Sequence, residues 1–89
     1  MAFSRSGLAR LGGANSDAGS AWLYKTADDA AAAINTSGYF NDASAELKVN
    51  DWLLICDSAN VHVVSYVNSN TGGVVDIVDG TTISATDTD

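Results

Sequence analysis

A small α+β domain is the fold class that this sequence predicts. It takes the form of a small antiparallel β-sheet or partly open barrel with one short helix and an extended N-terminal arm. Three observations lead there. From Trp52 to Ala85 the chain is a series of short valine- and isoleucine-rich runs separated by turn residues, the pattern of strands adjacent in sequence. One alanine-rich stretch, "TADDAAAAIN", has helix-forming composition. The opening "MAFSRSGLARLGGANSDAGS" holds four of the eight glycines and no sustained apolar period, so it cannot bury enough surface to order itself.

These observations divide the chain into an arm over 1–20, a compact α+β domain over 21–85 and an acidic, frayed tail over 86–89. Eighty-nine residues allow one domain. The arm carries Arg5 and Arg10 against the single acid Asp17, whereas the whole chain has a net charge of −7. Its single apolar residues Phe3, Leu8 and Leu11 then read as pegs for pockets on a partner, with the two arginines pairing partner carboxylates.

The elements follow in order. "AWLYKT" is a short strand. Thr26 is placed to cap a helix, with Asp28 and Asp29 in its first turn against the positive end of the helix dipole. Asn35 to Gly38 stops it. Asn41 or Asp42 caps a further single turn reaching Leu47, anchored by Tyr39 and Phe40. "KVND" turns into "DWLLICD", whose continuous apolar run predicts a central strand covered on both faces. "DSAN" leads into the strand "NVHVVSYVN", "NSNTGG" into "VVDIV", and the turn signal "DG" into "TTISA". Leu53, Ile55, Val64 and Val75 are the expected core.

The composition narrows the chemistry. Clustered Lys and Arg, which phosphate binding needs, are missing, so nucleic acid is not the expected partner. No apolar run reaches membrane-spanning length, and the N-terminus lacks the apolar region of a secretion signal. Cys56 is the only cysteine and His62 the only histidine, so neither a disulfide nor a metal site is expected. Asp57, Ser58, His62 and Ser65 resemble a hydrolase set in composition alone. His62 and Ser65 point to opposite faces of a strand, and no Gly-x-Ser-x-Gly elbow is present. No catalytic residue and no cofactor is therefore assigned. A core this small gains from oligomerisation or docking, and the aromatics Trp22, Tyr39 and Phe40 are the expected anchors of a self-interface, a homotrimer.

The pattern as a whole resembles a family of small structural proteins of tailed bacteriophages, the head decoration or cement-like proteins. The resemblance rests on "LGGANSDAGSAWLYKT", on "TADDAAAAINTSGYFNDASAELKVNDWLLI" and on the finish "GGVVDIVDGTTISA". It departs at "KVND", where a glycine often precedes the Asp; Asn50 can adopt the same positive φ. The resemblance implies a virion component, made in the host cytoplasm and bound through the major capsid protein to the outside of the head. The alternative is a head-fibre or tail attachment module that binds a host glycan or receptor.

Overall fold

The computed structural model describes residues 3–11 and 19–87. Its order is β1 (Leu8–Arg10), β2 (Ala21–Lys25), α1 (Ala31–Ile34), β3 (Trp52–Cys56), β4 (His62–Thr71), β5 (Val74–Ile77) and β6 (Thr81–Thr82). Short 3₁₀ turns occupy Arg5–Gly7 and Asn41–Ala43. The strands form one open sheet in the order β1-β2-β3-β4-β5, with β6 also on β4. All pairs are antiparallel except β2–β3, which is parallel. The fold is thus α+β with a mixed sheet. The antiparallel sheet expected from the sequence holds at every pair but this one, because the chain between Lys25 and Trp52 crosses the sheet instead of turning back.

That crossover covers one face of the sheet. From it Ile34, Phe40, Ala43 and Leu47 pack on Trp22, Tyr24, Leu53, Ile55, Val63, Val67, Val75 and Ile77. Polar contacts fix its seat. The Asn70 amide donates to the Ser44 and Leu47 carbonyls at 2.7 and 2.6 Å. Asn41 Oδ1 accepts the Val75 N–H at 2.9 Å, and Gly38 N–H donates to the Val75 carbonyl. Of the expected core, Leu53, Ile55 and Val75 are buried. Val64 is only half-buried, since it lies on the opposite face.

Two local expectations are overturned. "WLLIC" is central, but only Leu53 and Ile55 are buried, while Trp52 is 55% exposed. The continuous apolar run therefore hides a normal strand alternation. The helix is a single turn and begins five residues beyond Thr26. Thr26 Oγ1 accepts the Asp28 N–H, closing a turn. Asp29 is buried, and its carboxylate accepts the Tyr39 hydroxyl at 2.6 Å. The first helical N–H, that of Ala31, goes to Asp57 Oδ2 at 3.0 Å, so a carboxylate from the far side of the chain caps the helix.

The described N-terminal residues 3–11 are part of the body rather than an arm. β1 pairs with β2 through Leu8↔Tyr24, Ala9↔Leu23 and Arg10↔Trp22. Phe3 stacks on Tyr24 with ring centroids 5.5 Å apart and meets Phe40 edge-on at 5.4 Å. Ser4 N–H donates to the Tyr24 hydroxyl, which is 2.7 Å from that of Tyr39. Burial, then the hydrogen bonds to Asp29 and Tyr24, raise the Tyr39 hydroxyl far above the usual phenol value. Gly7 lies so close to β2 that a Cβ there would strike the Lys25 carbonyl oxygen. The arm expected over 1–20 also includes 1–2 and 12–18, which lie outside the described residues, as do 88–89 of the tail.

Ile55→Ala is expected to lower the unfolding free energy by about 2–5 kcal/mol, the range for a buried aliphatic, read by urea denaturation. Phe3 is half-buried, so Phe3→Ala is expected to cost about 2 kcal/mol, below the range for a fully buried Phe. An unchanged midpoint for Phe3→Ala would show that the N-terminal segment does not contribute to the core.

Candidate docking face

With the crossover on one face, the other face of the sheet is open. The strand registers arrange it in three rows. The middle row is Ala9, Leu23, Leu54, Val64 and Thr81 across β1, β2, β3, β4 and β6. One flanking row is Ala21, Trp52 and Tyr66, and the other is Lys25, Cys56 and His62. Ile83 extends the last row, its N–H donating to the His62 carbonyl at 2.8 Å. Leu23 is 42% exposed and Ile83 54%. Trp52 and Tyr66 meet edge-on with centroids 6.4 Å apart. An open groove of about 390 Å³ runs past Leu23, Leu54, Cys56, His62 and Ile83.

The charge on this face differs from that of the body. None of its row positions is Asp or Glu, in a chain with eleven acids. Asp29, Asp51 and Asp57 are buried on the other side or at the strand ends. The row side chains are apolar, small or basic; the acid on this side of the sheet is Asp76 of β5, between the buried Val75 and Ile77 and beyond the end of the rows. A contiguous apolar face on a small acidic domain marks an interaction surface.

The residues expected to bind partners are placed differently. Leu8 and Phe3 pack against the core cluster. They are therefore corrected from pegs for another protein to pegs for this one. Arg5 pairs with Glu46. Arg10 lies 6.0 Å from the Trp22 ring centre and donates to Ser20 Oγ. Leu11 is exposed. The trimer anchors are corrected too: Trp22 and Phe40 are buried, and Tyr39 is held in the aromatic cluster. The exposed aromatics are Trp52 and Tyr66, neither of which is among the anchors expected from the sequence. The alternation of "WLLIC" against "HVVSY", once paired in register, is the signal that would have found them.

The hydrolase-like set does not assemble. Ser65 is buried and its hydroxyl donates to the Val78 carbonyl at 2.7 Å. His62 is exposed on the open face. Among the described residues no three His, Cys, Asp or Glu side chains converge on one point. Asp57 serves the backbone: Oδ1 accepts from Ala59 and Val61, each at 2.9 Å, and Oδ2 from Ala31. Burial pushes this carboxyl up. The N–H groups of Val61, Ala59 and Ala31, with the nearby His62, outweigh it and hold the carboxyl below the ordinary carboxylate range.

Because the folded value lies below the unfolded one, Asp57 contributes its full stabilisation above the unfolded carboxylate pKa. The contribution disappears as pH falls through the folded value. Asp57→Asn is expected to cost about 1.5–3 kcal/mol at neutral pH, the range for hydrogen bonds to a charged group. The deficit should narrow as pH drops below about 4. Urea midpoints of parent and variant across that range check it. A deficit that stays constant into acid would mean that the charge on Asp57 is not what holds the loop.

Set against known family models, curated proteins and solved structures, the chain matches none.

Proposed function

We propose that this protein is a structural component of a tailed-phage virion. In this reading it is a decoration (cement) protein that binds the outer surface of the head and stabilises the shell. Its partner is the major capsid protein, contacted through the open sheet face. It catalyses no reaction, takes no cofactor and needs neither nucleic acid nor membrane. The observation that carries the reading is the three acid-free, largely apolar rows on the open face of an otherwise acidic domain. Such a face suits docking on a large surface, while the charged remainder keeps the copies soluble when crowded. The sequence resemblance to phage decoration proteins supplies the identity of the partner.

A second reading has its own observation. Trp52 and Tyr66 are exposed side by side, an arrangement that also suits stacking on a sugar ring. That would make the protein a head-fibre or tail attachment module for a host glycan.

Copy number in purified virions separates the two. A decoration protein is expected in proportion to the capsid protein, and an attachment module in proportion to vertices or tails. Leu54→Asp puts a carboxylate at the centre of the face without touching the core. It is expected to abolish occupancy on heads while leaving the circular dichroism spectrum unchanged. Full occupancy by a folded Leu54→Asp variant would move attachment away from this face.

A further inference from the structure

We infer that, away from its partner, the protein covers this same face with that of a second copy, as a weak two-fold dimer whose facing strands run antiparallel. The inference rests on the docking-face reading and concerns what masks the face before docking.

Charge selects the surface. Two bodies that each carry a net −7 repel. The three rows are where they can approach without setting carboxylate against carboxylate, because none of their positions is acidic, and Asp76 of β5, paired with Ser69, lies beyond the Tyr66 end of the rows. Lys25 and His62 are instead the rows' charged or titratable members.

Geometry selects the orientation. The three rows are symmetric about Leu54, which is central in β3. Two sheets stacked face to face can be related by a two-fold axis along the strands or across them. An axis along the strands sets the Lys25–Cys56–His62 row of one copy on the same row of the other, with the basic groups opposed. An axis across the strands sets that row over Ala21, Trp52 and Tyr66 of the second copy. His62 then lies over Tyr66 and Cys56 over Trp52, with the Lys25 ammonium beside the same aromatic row. A cation is attracted to an aromatic face, so this arrangement is self-complementary. Leu54 of each copy meets the other on the axis.

Area sets the strength. Five residues each from β2, β3 and β4, three from β1 and two from β6, at about 3.3 Å per residue with strands about 4.8 Å apart, give a face of roughly 300 Å². Two copies therefore bury roughly 600 Å², well below the ~1,200–2,000 Å² of stable interfaces. The dimer is accordingly concentration-dependent and yields to a larger partner.

Sedimentation equilibrium of the full chain tests this from about 1 µM, where a weak complex is dissociated, to about 500 µM. The weight-average mass should rise from monomer towards dimer, and Leu54→Asp should remain monomeric throughout. Orientation is read by a short bismaleimide cross-linker on two variants in a Cys56→Ser background. Leu54→Cys, on the axis, should link into covalent dimers. Trp52→Cys, displaced from its mate along the strands, should not. A monomer at every concentration overturns the proposal, as does a dimer indifferent to Leu54→Asp, or Trp52→Cys linking as readily as Leu54→Cys. A strict monomer that still occupies heads would refute the dimer and leave the docking reading standing; a dimer that never binds heads would do the reverse.

Discussion

Asp51 and Asp57 stand at the two ends of β3, and the crossover that closes the core depends on both. Asp51 accepts the Trp22 indole N–H at 3.0 Å and the backbone N–H groups of Ser20 and Lys48. Asp57 accepts those of Ala31, Ala59 and Val61. Both carboxylates are buried. An unpaired buried charge would be costly, but N–H donors aimed at it replace the lost water. Each carboxylate thereby ties the start of the crossover or its return to the strand between them. The parallel β2–β3 pair follows from this: parallel pairing is slightly weaker per residue and needs a long connection, and here the connection is secured at both ends.

The second constraint is size. A core of this length is marginal without a staple, and Cys56 has no cysteine to pair with. The N-terminal segment compensates. Phe3 completes a four-ring cluster with Tyr24, Tyr39 and Phe40, and Leu8 packs beside it. The hydroxyls of Tyr24 and Tyr39 end on Asp29, giving the cluster a polar anchor at one side. Residues that look like an unattached arm therefore spend their apolar surface inside the molecule.

These two constraints leave one face of the sheet unused by the fold. The core is built from the other face, so Leu23, Trp52, Leu54 and Tyr66 are not required for packing. Exposed apolar side chains in contiguous rows favour association, and the exclusion of carboxylates from those rows extends the same bias. Whatever partner the protein has, its stability and its binding surface reside on opposite sides of one sheet. Substitutions on the two sides should therefore separate cleanly.

Local chemistry fixed a good part of this in advance. The strand-and-turn succession from Trp52 onward holds, with Asn50 at φ 74° and Gly72, Gly73 and Gly80 at positive φ where turns need them. The α+β class and most of the buried aliphatics also follow from pattern alone. The tertiary structure decided what local pattern leaves open. "WLLIC" is apolar at every position, so its two faces become distinguishable only when a layer covers one of them. The helix start moved because Asp29 found Tyr39 and because Asp57, 26 residues from Ala31, supplied the cap. Gly7 looked like a source of flexibility, yet it permits a close approach to Lys25 that no other residue would allow. In each case the deciding partner is distant in the chain, and its energy enters only after the loop between them has closed.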